Sequence, residues 1–190
     1  MLELLLQLDR KFFQFVNQTT SNSLFDVLMP FFRNQYTWVP VYLFLLVFVF
    51  ANFKNRAWWW ILFFLATFAL TDLISQQVVK QVFDRPRPCI DAMSADSVRM
   101  LIRCSDGFSF VSSHATNHFG ISMFIFQTMR HFGKPWVWLA FIWATLVCYA
   151  QVYVGAHFPL DVLGGALLGC FLGWFTSRNY IKQFGGLKHT

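Results

Sequence analysis

An all-α integral membrane bundle of about five transmembrane helices, preceded by an amphipathic interfacial helix, is the fold class the sequence predicts. Two observations carry that prediction. The composition is 56% apolar and 20% aromatic, with 25 Phe and only 13% charged residues, which leaves too little polar surface to cover a globule in water. The apolar residues also gather into long runs, separated by short basic turns and by one long hydrophilic segment at 81–112, as in chains that cross a bilayer repeatedly. At 190 residues the chain is one domain by length.

The elements follow in order. Leu5, Leu8, Phe12 and Phe15 recur at helical spacing, with Gln7, Asp9, Arg10, Lys11 and Gln14 between them, so residues 2–17 read as a helix lying in the interface. Glu3 and Asp9 stand there with no basic start and no small-residue cleavage site, so the segment does not read as a removable signal peptide. A second short segment, 21–32, contains Asp26 and Pro30. Spans are expected at 36–53, 57–79, 114–129, 135–153 and 159–175. Trp58-Trp59-Trp60, Trp136 and Trp138 are interfacial anchors. In the second span Asp72, Ser75, Gln76 and Lys80 recur every three or four residues, a polar stripe that must face protein or water rather than lipid. In the fifth, Gly165, Gly169 and Gly173 permit close helix approach. The expected division is an interfacial segment 1–33, a transmembrane domain 34–178 with an extracytoplasmic loop 81–112, and a cytoplasmic tail 179–190.

Charge sets the expected orientation. Lys54, Arg56, Arg130, Lys134, Arg178, Lys182 and Lys188 fall on one side with no acidic residue among them, which marks that side as cytoplasmic. The opposite side carries Arg10, Lys11, Arg33, Lys80, Arg85, Arg87, Arg99 and Arg103, mixed with Asp and Glu. Part of that set is expected to meet an anionic substrate, while Arg99 and Arg103 read as headgroup contacts or solvated loop charges. The net charge of +6 thus belongs to membrane lipids and substrate; no soluble basic face is available for nucleic acid. Cys148 and Cys170 lie in apolar runs, whereas Cys89 and Cys104 bracket polar sequence and could form a disulfide in an oxidising compartment or remain free thiols.

With this topology three polar clusters meet at one membrane face: Lys80 with Arg85 and Arg87; Ser112-Ser113-His114; and Gln151 with His157 and Asp161. Fixed cations, a hydroxyl, helix N-terminal amides and two histidines are the parts of a phosphate site. One imidazole can attack phosphorus while the other protonates the departing oxygen. Asp161 stands four residues after His157, where its carboxylate can fix the ring's tautomer. His114 and His118 have a metal-ligand spacing, but no Glu between them and no carboxylate triad nearby, so packing is the plainer role for His118.

These residues resemble the motifs of the type 2 phosphatidic acid phosphatase family. Lys80, Arg87 and Pro88 match its first motif, Lys, six residues, Arg-Pro. Ser112 and His114 keep the Ser and His of its Pro-Ser-Gly-His motif, with Val111 and Ser113 in place of Pro and Gly. His157 and Asp161 match the end of the third motif, with Ala150 and Gln151 where Ser-Arg is expected. The resemblance spans roughly residues 58–175. It implies His157 as nucleophile oriented by Asp161, His114 as acid and then base, and Lys80, Arg87, Ser112 and the Ser113 N–H as phosphate ligands. It also implies a reaction needing no metal or other cofactor, at a site on the non-cytoplasmic side. Gln151 can still donate to a phosphate oxygen, and Arg85 is expected to add the charge it lacks.

The expected function is hydrolysis of a lipid phosphomonoester or diphosphate in the cell's inner membrane, the active site facing the periplasm or extracytoplasmic side. Undecaprenyl diphosphate is the expected substrate. Phosphatidylglycerophosphate, phosphatidic acid and lipid A are alternatives, as are a lipid phosphotransferase and a catalytically silent lipid-binding protein.

Overall fold

The computed structural model describes residues 1–53, 55–131 and 136–187; Lys54, Lys134 and Lys188 lie outside the described residues. Within them every regular element is helical. Helix α1, Leu2–Gln14, continues through a π-helical turn, Phe15–Thr19. Helix α2, Ser23–Arg33, begins at Asn22, whose side chain accepts the Phe25 N–H and so satisfies one of the free donors of a helix start. Helices α3, Val39–Phe53, and α4, Asn55–Leu73, follow. A π-helical stretch, Ile74–Val79, joins α4 to the short α5, Lys80–Phe83. After a long loop come α6, Ser113–Met129, α7, Trp138–Tyr153, and α8, Pro159–Phe184. The last continues past the expected start of a tail at 179.

Among the described residues three helical stretches are long and apolar enough to cross a membrane: Gln35–Phe53, Asn55–Phe83 and Pro159–Phe184. Helix α7 is apolar but shorter, and α6 has 17 residues, about 25 Å at ~1.5 Å per residue. The first, second and fifth expected spans therefore have full-length helices, and the third and fourth have shorter ones. Helix α6 is the central helix and most of its residues are buried. Protein replaces lipid around it, so it can carry Thr116, Asn117, His118 and Ser122.

The glycine stripe holds the centre together. A Cβ at Gly165 would lie 2.6 Å from the Ser112 carbonyl oxygen, and Cβ atoms at Gly169 and Gly173 would press on the Thr116 and Gly120 carbonyl oxygens. Only hydrogen at these positions lets α8 lie against α6. Asp72 ties α4 to the same helix, accepting from Asn117 Nδ2 at 2.9 Å and from Gln76 Nε2 at 2.7 Å. One apolar core, around Trp60, Phe64, Phe124 and Tyr180, fills the bundle. A second, with Phe13, Val16, Met29, Tyr153 and Phe158, lies beneath the turn between α7 and α8. Outward, Val41, Phe44, Leu62, Leu65, Leu167 and Phe171 stay exposed, an apolar surface fit for lipid.

Helix α1 uses both its faces. Leu5, Leu8, Phe12 and Phe15 point outward as an interfacial helix requires, while Asp9, on the polar side, is only 5% exposed. That side therefore meets protein rather than water. Arg99 departs from its expected role as a headgroup contact or solvated loop charge: it pairs with Asp26 at 2.8 Å and lies over the Tyr153 ring, fastening the long loop to α2 and α7. Cys89 and Cys104 are bonded, closing the loop around Asp91 and Ser94, with Cα atoms 6.2 Å apart.

Candidate active site

The site is built on the turn between α7 and α8. Helix α7 ends at Tyr153, and Gly155 takes a left-handed conformation at φ +85°, where a side chain would be strained. The chain then folds back so that the Gln151 carbonyl accepts the N–H groups of Ala156 and His157. Pro159 opens α8, and the Asp161 side chain accepts the Phe158 N–H at 2.9 Å. His157 is thereby held 3% exposed at the head of α8.

The two ring nitrogens of His157 face different partners. Nε2 meets Arg87 Nη1 at 3.3 Å, and that guanidinium also donates to the carbonyls of Ala156 and Gly107. With Nε2 facing an N–H, the ring proton sits on Nδ1. Nδ1 lies 3.7 Å from Asp161 Oδ2, an ion-pair separation longer than a hydrogen bond. The Ser109 hydroxyl bridges the gap, 3.3 Å from Nδ1 and donating to Asp161 Oδ2. The expected His–Asp pair is thus a His–Ser–Asp chain. Burial pushes the His157 imidazole down to about 4, against the opposing pull of Asp161, so the ring is neutral at pH 7.

Asp161 is saturated: besides Ser109 and the Phe158 N–H it accepts from Arg85 Nη1 at 2.6 Å. Arg85 Nη2 donates to Asp9, which also accepts the Leu160 N–H at 2.8 Å. Burial raises the Asp9 carboxyl above its ordinary value, opposed by its bonds to Arg85 and Leu160. Arg85 was expected among the phosphate ligands; in the fold its terminal nitrogens meet two carboxylates and its plane lies 4.4 Å over Phe158.

His114 stands in the first turn of α6, capped by Ser112, whose own N–H donates to the Asp161 carbonyl. The Ser113 and His114 N–H groups precede the helix's own hydrogen-bond ladder and point out of its start. His114 is within electrostatic reach of His157 and Lys80. Lys80 interacts with Arg87, and it lines a cavity of about 250 Å³ together with Asp106, Gly107 and Phe108. Several buried polar atoms here have no hydrogen-bond partner among the described residues: Ser113 Oγ, both His118 ring nitrogens and both side-chain polar atoms of Gln151. His118 packs on Trp143, with ring centroids 4.5 Å apart.

Three participants were not singled out from the sequence. Ser109 was discoverable only as a lone hydroxyl between Phe108 and Phe110. Asp9 was assigned to a watery helix face. Arg33 stands in the sequence only as one of eight basic residues on the outer side, yet it acts electrostatically on both His114 and Arg87.

The sequence profile of the PAP2 superfamily matches residues 57–184. A lipid A 4'-phosphatase of Bacteroides thetaiotaomicron is 32% identical over 178 residues, covering 92% of this chain and 77% of that protein. The undecaprenyl-diphosphatase BcrC of Bacillus subtilis is 28% identical, covering 83% of this chain and 76% of that protein. The crystal structure of Aquifex aeolicus LpxE superposes with a TM-score of 0.68 at 28% identity, over 90% of this chain and 95% of that one. The chain therefore belongs to the PAP2 superfamily, the type 2 phosphatidic acid phosphatases that its three motifs resemble.

Proposed function

We propose that this protein hydrolyses a lipid phosphomonoester at the outer face of the inner membrane through a phosphohistidine on His157. The observation that carries the reading is the His157 ring itself: buried and neutral, its Nδ1 backed by Ser109 and Asp161, its Nε2 beside Arg87. The Nε2 lone pair attacks phosphorus, and the bond from phosphorus to the lipid oxygen breaks. His114 gives its proton to that oxygen, releasing the lipid alcohol. His114 then takes a proton from water, whose oxygen attacks phosphorus. The P–N bond breaks, inorganic phosphate leaves, and both imidazoles return to their starting states. Lys80, Arg87, the Ser112 hydroxyl and the Ser113 N–H hold the equatorial oxygens while charge redistributes.

The polar site sits at the mouth of apolar helices, so acyl or prenyl chains remain in lipid while the phosphate enters. The relatives' named substrates make a lipid A-type glycolipid phosphate the first substrate to test. Undecaprenyl diphosphate is the second reading, favoured by the similarity to BcrC. An extracytoplasmic site fits the Cys89–Cys104 disulfide, which oxidising compartments preserve. It also fits Arg56, Arg130, Arg178 and Lys182 lying toward the opposite helix ends. All five helices of the bundle, α3, α4, α6, α7 and α8, are proposed to cross.

The test is phosphate release, without added acceptor, from lipid A, undecaprenyl diphosphate, phosphatidylglycerophosphate and phosphatidic acid. Wild type and His157→Ala are run in parallel. Wild type should release phosphate from at least one lipid and form an acid-labile phosphoenzyme, and His157→Ala should do neither. Equal release by the two proteins would end the enzyme reading.

A further inference from the structure

We propose that Arg33, on α2, supplies a phosphate-binding guanidinium that takes the place of the Arg missing at Gln151. This rests on the phosphatase reading above and adds a ligand from outside the segment that the superfamily profile matches.

Gln151 is fully buried, and among the described residues neither polar atom of its side chain has a partner. It brings no charge to a site that must hold a dianion. Arg33 does. Helix α2 packs along α7, the helix that carries Gln151. Tyr153 fastens the two, accepting the Asn22 N–H at 3.1 Å and donating to Asp26 at 2.7 Å. At the far end of α2, the Phe32 carbonyl accepts from Trp38 Nε1 at 2.8 Å. Trp38 leans on Trp143 at 5.4 Å, and Trp143 lies 4.5 Å from His118, one turn beyond His114. An aromatic ladder thus runs from Arg33's neighbour to the foot of the catalytic helix. Arg33 acts electrostatically on both His114 and Arg87.

Arg33 differs in its surroundings from three other arginines on this face. Arg10, Arg85 and Arg99 each pair with a carboxylate. Among the described residues none pairs with Arg33, and its Nε is buried without a hydrogen-bond partner. A half-buried cation acting on Arg87 is costly by desolvation and like-charge repulsion. A phosphate offsets both terms, and a guanidinium can engage it through two parallel N–H bonds. The charge absent from one helix is thus provided by another, on the side from which the N-terminal helices cover the site.

The experiment uses the full chain in detergent, on the lipid phosphate that wild type turns over fastest, with orthophosphate as competitive inhibitor. Arg33→Gln should lower kcat/KM and weaken orthophosphate binding, each by about 10- to 100-fold, the worth of a lost charged hydrogen bond. Adding Gln151→Arg to Arg33→Gln should restore both to within about tenfold. Gln151→Arg alone should bring no gain, because the place is taken. Arg33→Gln with wild-type kinetics and orthophosphate affinity would overturn the proposal. So would a loss that Gln151→Arg does not relieve in folded protein, or a tenfold gain from Gln151→Arg alone, which also decides the matter should Arg33→Gln fail to fold. Orthophosphate-induced thermal stabilisation reads the same binding without turnover. Wild type inactive on every lipid would sink the phosphatase reading, whereas active wild type with an indifferent Arg33→Gln sinks this proposal alone.

Discussion

Asp9 near the amino end and Asp161 at the head of α8 grip the two terminal nitrogens of one guanidinium, that of Arg85. The interfacial helix is thereby wired to the carboxylate beside His157, the proposed nucleophile. Asp9 also accepts the Leu160 N–H, so α1 holds the first turn of α8 directly. Arg85→Ala leaves two buried carboxylates without the cation they share. It should cost about 3–5 kcal/mol, the usual penalty for breaking a buried pair, and activity should fall with it. Asp9→Asn keeps an acceptor for Leu160 and should cost less. Thermal unfolding in detergent and phosphate release measure both, and an Arg85→Ala protein as stable as wild type would contradict this wiring.

Ser109 separates two residues that the motif alone would pair. Ser109→Ala removes the bridge and leaves Nδ1 and Asp161 3.7 Å apart. A lost buried hydrogen bond is worth about 1–3 kcal/mol, so kcat should fall about 10- to 100-fold with KM little changed. The rate of phosphoenzyme formation in a single turnover should drop in proportion. A fall in KM affinity with kcat intact would instead assign Ser109 to substrate binding.

The pH dependence has a defined sign. In the proposed mechanism His157 attacks as the neutral ring, and burial holds it at about 4, below the ordinary 6.5. The acid limb of kcat/KM, corrected for the substrate's second ionisation near pH ~6, should therefore lie near 4. In the unfolded chain the same ring takes its proton at the ordinary value. Its burial therefore lowers stability progressively as pH falls from 6.5 through 4 and leaves it untouched above 6.5. An acid limb at 6.5 that survives the correction would show that His157 is solvated.

The α6–α8 contact admits no side chain at the glycine stripe. Gly169→Val would drive its Cβ into the Thr116 carbonyl and part the helices that carry His114 and Asp161. Loss of the folded bundle, or of all activity in what remains, is expected on size-exclusion and phosphate-release assays. Gly186→Ala, whose Cβ would meet nothing among the described residues closer than His131 at 3.8 Å, should stay within about 0.5 kcal/mol of wild type.

The membrane class, the helical bundle and the core of the site were legible in the sequence because each rests on a local or compositional rule. Lipid demands apolar runs of fixed length, helices place residues three and four apart on one face, and His157, Asp161, His114, Lys80 and Arg87 fall at spacings that such helices bring to their ends. The short, half-polar α6 remained visible through Ser112 and His114 at its start, although its place at the centre was not. The glycines at 165, 169 and 173 announced a close contact without naming its partner.

What only the tertiary structure decided is which polar groups face one another across the bundle. The hydrophobic spacing of α1 is satisfied whether its other side meets water or protein, so nothing local could turn Asp9 inward. Arg85 and Arg87 are two residues apart and chemically alike, yet the loop aims one at carboxylates and the other at His157. Ser109 enters the site only because the loop before α6 passes between His157 and Asp161. Arg33 reaches His114 only because α2 lies along α7. A charge in sequence has a sign; the partner that gives it a role is chosen by packing between segments far apart in the chain, and no periodicity encodes that choice.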